Sequence, residues 1–215
     1  MSIFIEGKFY RAMSTLWEVM YMGFLWTLFS LPIVTIGAST TALYYVATKK
    51  VTNREGSYIF QDFWRSFKEN FKQSTITFLI LVVVGLLVWY NFMLLDQMDM
   101  VVLSFIARLA LVLVTIQLLF VVSTVFAVIA RFDLILGAAL KASLALANKH
   151  LFSTVTNIVV LLAVLYVAFS APVILLFMMG AYGYFSSFVL VRMFKKNNVE
   201  FEEYIEETDP EIDII

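Results

Sequence analysis

The sequence predicts an all-α membrane protein, with a bundle of six (alternatively five) membrane helices and two amphipathic helices in the cytoplasm. Three observations lead to this fold class. The 215 residues are 62% hydrophobic and only 14% charged, with a mean hydropathy of +0.91, whereas a soluble domain is about half apolar and about a quarter charged. Several apolar stretches reach the roughly 20 residues that a helix needs to cross a bilayer. Nearly all cations lie outside these stretches.

The first apolar stretch, 16–46, is interrupted at Pro32. Proline removes a backbone donor and disfavours helical geometry in the residue before it. We therefore expect one helix before Pro32 and a second, shorter one over 36–49, whose small residues allow close packing. The second helix either spans the membrane or only re-enters it. The first is expected to be retained rather than cleaved as a signal peptide, because further spans follow.

Three further stretches complete the predicted bundle. Residues 75–95 form one span, and 101–130 form another. Residues 153–193 would make a helix of about 60 Å at 1.5 Å per residue, about twice the hydrocarbon core. That stretch should therefore be two helices, with the turn at Pro172.

The cations predict the side of the membrane on which each link lies. All Lys and Arg residues except Arg108 lie near the N-terminus, in 49–74, in 131–152 or after the last span, and the shorter links contain none. With six membrane helices, all cations but one face the same side, as the positive-inside rule expects of the cytoplasm. Six helices place both termini in the cytoplasm, whereas five leave Lys8 and Arg11 on the opposite face.

Two cytoplasmic segments have amphipathic helical patterns. In 57–74 the aromatic residues share one face, so this helix should lie along the membrane surface. The second segment carries an apolar stripe formed by Leu136, Leu140, Leu144, Ala147 and Leu151. These helices either support and anchor the bundle or dock a cytoplasmic partner. The residues predicted to contact that partner are Phe63, Trp64, Arg65, Phe67, Lys68, Phe71, Lys72 and Lys141.

Few polar residues lie within the spans. Asn91, Gln117 and Asn157 more often join helices by hydrogen bonds than bind a solute. Arg108 either lies at the outer interface, near the acidic residues of the 96–100 link, or faces inward with a function. The candidates for an intramembrane functional site are therefore Arg108, Asn91, Gln117 and Asn157.

The chain changes character after Lys196. Residues 199–215 contain eight acidic residues and no cation, and such runs are commonly disordered tails. We therefore divide the chain into a membrane helix bundle, 1–196, and an acidic cytoplasmic tail, 197–215. Apolar residues interleaved with the acidic ones would allow the tail to bind a partner.

Several kinds of chemistry are not expected. The chain has no Cys and a single His, His150, which excludes a thiolate site and a multi-histidine metal site. The embedded titratable groups are too sparse for acid–base catalysis, so we expect no catalytic residue, no metal and no cofactor. The phosphate-binding motif GxxxxGKS/T is absent, so the chain is not an ATPase subunit. No nucleic acid partner is expected.

Three regions of the sequence resemble the signatures of a known family. The run 31–45, LPIVTIGASTTALYY, is similar to the N-terminal signature of the YesL-like family of bacterial integral membrane proteins. Residues 53–56 (NREG) and 63–73 (FWRSFKENFKQ) are similar to its second signature. Residues 131–133, followed by an Ala/Leu/Lys helix, are similar to a third, more degenerate region. The resemblance covers most of residues 1–196.

The resemblance implies a multi-pass protein of the bacterial plasma membrane whose function is formally unknown. Its relatives are commonly associated with carbohydrate uptake through ABC importers. It thus implies an accessory integral-membrane component of a carbohydrate (oligosaccharide) ABC import system, embedded in the lipid bilayer and contacting permease or ATPase subunits from the cytoplasmic side. A stand-alone small-solute permease or channel is the alternative, and an enzyme is not expected. The family offers no catalytic residues to transfer.

Overall fold

A computed structural model describes residues 2–52, 58–95, 97, 100–132, 134–170 and 172–208. Of these residues 94% are helical and none forms a β-strand, which confirms the all-α prediction. A short 3₁₀ turn, Ile33–Thr35, joins the first two helices. The seven α-helices of the described chain are α1 (Ser2–Phe29), α2 (Ile36–Thr52), α3 (Ile59–Leu95), α4 (Val101–Arg131), α5 (Leu136–Lys149), α6 (Leu151–Ser170) and α7 (Pro172–Thr208).

Both predicted proline breaks are present. The first helix ends at Phe29, three residues before Pro32, and α2 begins at Ile36. The Thr35 hydroxyl donates to the carbonyl oxygens of Phe29 and Pro32, each at 2.6 Å, and so satisfies acceptors that the helix end leaves open. At the second break, α6 ends at Ser170 and α7 begins at Pro172.

The helix α3 is one continuous element of 37 residues. The prediction of a surface helix over 57–74, separate from the span that follows it, was therefore wrong. No Gly or Pro interrupts residues 59–84, and the helix packs along α2, where the hydroxyls of Thr41 and Ser74 are 2.8 Å apart. At 1.5 Å per residue α3 is about 55 Å long, which exceeds the hydrocarbon core of about 30 Å. The amphipathic segment is therefore the first half of a helix that continues into a span.

The helix α5 runs antiparallel to the second half of α4. The hydroxyl of Thr124 donates to the Ser143 carbonyl at 3.2 Å, and Gln117 and Asn148 exchange hydrogen bonds of 3.2 and 3.1 Å. After Lys149 the chain bends by 103° into α6.

The buried face of α5 differs from the predicted leucine stripe. The buried residues are Ala139, Ala142, Ser143, Leu146 and Ala147. Leu144 and Leu151 are exposed, so only Ala147 of the predicted stripe is fully buried. Small residues allow two helices to approach closely in a membrane, where larger apolar side chains gain nothing by leaving the lipid. Of the four leucines in the predicted stripe, Leu144 and Leu151 lie on the outside of the bundle, and Leu136 and Leu140 are half-buried.

The last helix passes the predicted domain boundary at residue 196 without a break. Its backbone is helical to Thr208 and includes the first acidic residues of the predicted tail. The rest of the tail, 209–215, lies outside the described residues. The acidic segment thus begins as an extension of a bundle helix.

Two helices of the described structure, Ile59–Leu95 and Val102–Arg131, are long and apolar enough to cross a membrane, and the bent pair α5 and α6 could count as a third span. Large apolar side chains are exposed on the second half of α3 and the first half of α4. They include Val83, Leu86, Trp89, Phe105, Ile106 and Leu113. A helical protein with such an apolar exterior is consistent with a lipid surrounding.

Two glycines fix the closest helix contacts. A Cβ atom added to Gly180 of α7 would meet the Val19 carbonyl of α1 and lie 2.7 Å from the Gly23 nitrogen. A Cβ atom added to Gly37 of α2 would meet the Ser74 carbonyl of α3 and lie 2.7 Å from Phe78 Cβ. Both contacts are shorter than any real side chain makes with a backbone, so these helices pack backbone against backbone.

Replacing Gly180 with Ala should destabilise the protein by about 2 kcal/mol or more, because the α1 backbone would have to move. The matched control is Gly137→Ala in α5, where nothing lies within 4 Å of the added atom. That change should leave the stability unchanged or slightly raised. Thermal unfolding in detergent, followed by size-exclusion chromatography, compares the two variants. Equal melting temperatures would contradict the backbone contact.

Candidate functional site: a charged end and an interior cavity

Ion pairs join the middle of α1, the end of α2 and the start of α3. Lys49 Nζ donates to both carboxylate oxygens of Asp62 at 2.7 Å, and Lys50 pairs with Glu18. The Ser14 hydroxyl also donates to Glu18, at 3.1 Å. Consecutive lysines therefore connect α2 to two different helices. We call this set, Glu18, Lys49, Lys50 and Asp62, the charged end.

Burial shapes the electrostatics of the charged end. Asp62 is buried, and the side chain of Lys49 is about one third exposed. Burial lowers the pKa of Lys50 because its ammonium group loses water, and the Glu18 carboxylate offsets part of that cost. Charges that are buried need partners, so these ion pairs hold the helices together and are not free to bind a ligand.

Two of the predicted partner-contacting residues lie inside the protein. Phe63 and Phe67 are buried, and their rings lie 5.4 and 5.1 Å from that of Phe29 in α1. These rings attach the first half of α3 to the bundle rather than to lipid. They are not accessible to a partner in this conformation.

The other partner-contacting candidates are exposed. On α3, Lys68 Nζ lies 5.3 Å from the centre of the Trp64 ring, and Arg65 donates to the hydroxyl of Tyr45. Lys141 lies on a separate helix, α5. Gln73 of α3 donates a hydrogen bond of 2.6 Å to the carbonyl of Leu134, two residues before α5 begins. The exposed surface formed by Trp64, Lys68, Phe71 and Lys72 is called the α3 outer face below.

The structure does not bring the four intramembrane candidates together. Asn91 donates to the Leu87 carbonyl of its own helix at 2.7 Å, and Gln117 pairs with Asn148 on the exterior. Arg108 is exposed in the first half of α4. Only Asn157 is buried, and its Nδ2 donates to the Ser123 carbonyl at 3.3 Å.

A buried hydroxyl cluster, which sequence reasoning missed, lies near Asn157. Tyr44 of α2 donates to the hydroxyl of Tyr182 in α7 at 3.0 Å, and the Ser186 hydroxyl donates to Tyr44 at 3.4 Å. The Asn157 carboxamide lies within interaction range of both phenol hydroxyls. The small residues around Tyr44 and Tyr182 were a sequence signal for close packing, but nothing local linked the two tyrosines.

The two tyrosines also border an interior cavity of about 410 Å³. Side chains from α1, α2, α3, α4, α6 and α7 form its wall, and all of them are uncharged. They are Trp26, Ile36, Thr40, Tyr44, Phe78, Leu81, Val82, Val122, Phe126, Leu161, Leu165, Met179 and Tyr182. Within the described part of the chain, no three His, Asp or Glu side chains are placed to hold a metal ion.

Replacing Lys49 with Met should destabilise the protein by about 1–3 kcal/mol, because the buried Asp62 carboxylate would lose its ion pair. Replacing both Lys49 and Asp62 with apolar residues should restore part of the loss. The control is Glu69→Ala, which removes a pair with Arg65 that is more than half exposed and 3.8 Å long. That change should alter the stability by less than about 0.5 kcal/mol. Melting temperatures in detergent test this, and equal effects of Lys49→Met and Glu69→Ala would contradict it.

Comparison with known proteins finds a family match for about one third of the chain. Residues 19–92, from the second half of α1 to the end of α3, match the model of a family described as proteins of unknown function, DUF624. No curated protein and no solved structure matches the chain. The match includes the first two of the three regions that carry the resemblance to the YesL-like family and is consistent with that resemblance. The region that the family model recognises therefore contains the charged end, apart from Glu18, and the α3 outer face.

Proposed function

We propose that the protein is an accessory integral-membrane component of a carbohydrate (oligosaccharide) ABC import system in the bacterial plasma membrane. In this role it contacts the permease or the ATPase from the cytoplasmic side. The carbohydrate system comes from the family resemblance. The observation that carries the contact is the α3 outer face, an exposed aromatic and cationic surface on a helix that the adjacent rings of Phe63 and Phe67 fix to the bundle.

The inner side of α3 supports this role because it holds the helix in place. Phe63 and Phe67 pack on Phe29, and Asp62 is bound by Lys49. A surface that is already ordered loses little conformational entropy when a partner binds, which improves affinity. The first half of α3 is thus suited to present side chains in a fixed arrangement.

The composition of the α3 outer face is typical of a protein interface. Aromatic residues are enriched in interfaces and supply much of their binding energy. Here Trp64 and Phe71 are exposed, and Lys68 and Lys72 flank them on the same stretch of helix. The cations also favour a partner with an acidic surface, which they would attract before contact.

The alternative, a stand-alone small-solute permease or channel, would have to use the interior cavity. Its wall carries no charged side chain, and the four polar candidates do not line a common path. A sugar has many hydroxyl groups, and each would cost free energy if it were buried without a partner. The cavity therefore favours the accessory role over carbohydrate transport by this chain alone.

We also propose six membrane helices, with both termini in the cytoplasm and five as the alternative. The charged end supports this arrangement, because it places the Lys49–Lys50 segment and Glu18 at one end of the bundle. Cations gathered at one end are expected on the cytoplasmic side.

Reversing the charge of Lys68 and Lys72 to Glu should reduce the amount of permease or ATPase that co-purifies from native membranes by about tenfold, the effect of roughly 1.4 kcal/mol of binding energy. Repulsion from an acidic partner would replace attraction. The control is the double variant Lys195→Glu and Lys196→Glu, which makes the same charge change at exposed positions of α7. Equal recovery with both variants, or repeated isolation of the wild-type protein alone, would contradict the proposal.

The natural absence of Cys allows a direct test of topology. Single-cysteine variants at the exposed positions Tyr10, Gln97 and Lys195 report on the start of α1, the α3–α4 link and the end of α7. With six helices, a membrane-impermeant maleimide added to intact cells should label only the variant at Gln97. Permeabilised cells, in which all three should react, serve as the control. Labelling at Tyr10 in intact cells would favour five helices.

A further inference from the structure

The interior cavity has a wall suited to a hydrocarbon. Its volume, about 410 Å³, lies within the range of small-molecule pockets, about 300–1,000 Å³. Most of the wall is formed by aliphatic and aromatic side chains, and its polar groups belong to Trp26, Thr40, Tyr44 and Tyr182. The indole of Trp26 already donates to the Thr40 hydroxyl at 3.1 Å. Tyr44 and Tyr182 are the remaining polar residues of the wall.

The hydroxyl groups of the tyrosine cluster can make further hydrogen bonds. Tyr44, Tyr182 and Ser186 form a chain of hydroxyl groups, and a hydroxyl can both donate and accept. Asn157, which is almost fully buried, lies within range of these hydroxyls, yet its Oδ1 accepts no hydrogen bond from the described residues. An unsatisfied buried acceptor costs free energy. A ligand that carries one uncharged hydroxyl would meet this cluster at Tyr44 and Tyr182, the two members that line the cavity.

The cavity reaches the apolar surface of the protein between α3 and α6. Val82 of α3 and Leu165 of α6 line the cavity and are also 40% and 49% exposed. Both are apolar, so a hydrocarbon chain would meet no charged group at this opening.

We propose that the cavity binds a single-chain amphiphile of the long-chain alcohol type, with its uncharged hydroxyl head at the tyrosine cluster and its hydrocarbon chain along the apolar wall. The opening between Val82 and Leu165 admits it from the bilayer. Ions are excluded because the wall offers no opposite charge, and sugars because most of their hydroxyls would lack partners. This site is separate from the α3 outer face, and its test does not depend on the accessory role.

Trp26, which is nearly buried in the cavity wall, provides a built-in reporter. The reporter protein keeps Trp26 and replaces Trp17, Trp64 and Trp89 with Phe. The control protein keeps only Trp89, which lies on the exposed part of α3. Both are reconstituted in lipid nanodiscs and titrated with 10-bromo-1-decanol, whose bromine quenches tryptophan fluorescence on contact.

We expect saturable quenching of Trp26 that unlabelled 1-decanol reverses by competition. Quenching of Trp89 should rise in proportion to the probe, without saturation or competition. In the reporter protein, Tyr182→Phe should lower the affinity for the probe about five- to tenfold, because one hydrogen bond is lost. Val82→Phe should abolish the saturable quenching, because the larger side chain narrows the opening. Tyr90→Phe, at an exposed tyrosine of α3, should have no effect.

Two results would overturn the proposal. The first is quenching of Trp26 that is unsaturable and uncompeted, as at Trp89, while chromatography shows folded protein. The second is saturable quenching of Trp26 by a phospholipid with brominated acyl chains that decanol does not reverse. That outcome would mean that acyl chains of bilayer lipids fill the cavity and that no hydroxyl head group binds at the tyrosine cluster.

Discussion

The close approach of helix backbones at Gly180 and Gly37 sets the geometry on which the rest of the structure depends. Gly180 brings α7 against Gly23 of α1, and Gly37 brings α2 against Ser74 of α3. In lipid, hydrophobic burial does not drive helices together, so close packing of small residues and interhelical hydrogen bonds must do so. The first contact joins α7 to α1 and the second joins α2 to α3, and polar groups along α2 reach partners on all three of these other helices.

The cations of α2 and those of α3 differ in their surroundings, because the first are paired inside the protein and the second are exposed. Successive side chains on a helix point about 100° apart, so Lys49 and Lys50 reach different helices and are used inside the protein, by Asp62 and Glu18. The cations on the outer face of α3 stay exposed. In the sequence, the lysines of α2 and the cations of α3 all belong to one positively charged segment. Only the exposed cations of α3 are available to a partner. The proposed contact surface is therefore smaller than the whole cationic segment.

Helix type and the breaks at Pro32 and Pro172 could be predicted because they depend on local composition. Helix continuity could not, since the amphipathic pattern of 57–74 gave no sign that packing along α2 would extend it into the next span. The leucine stripe of α5 failed because the face that packs on α4 is a different one, which carries mostly small residues that allow the two helices to approach closely. The contact between Tyr44 and Tyr182 joins residues 138 positions apart, and no local pattern links them.

The interior also bears on how a protein of this kind could take part in carbohydrate uptake. A transport path for a sugar needs polar partners along its whole length, because each buried hydroxyl without one costs free energy. Of the four intramembrane candidates only Asn157 is buried, and the cavity near it is lined by uncharged, mostly apolar side chains. An accessory role needs no such path, since the partner would carry the sugar. The apolar interior then suits a lipid-like molecule, while the exposed cations on α3 suit a protein, so the two proposed contacts use separate parts of the molecule.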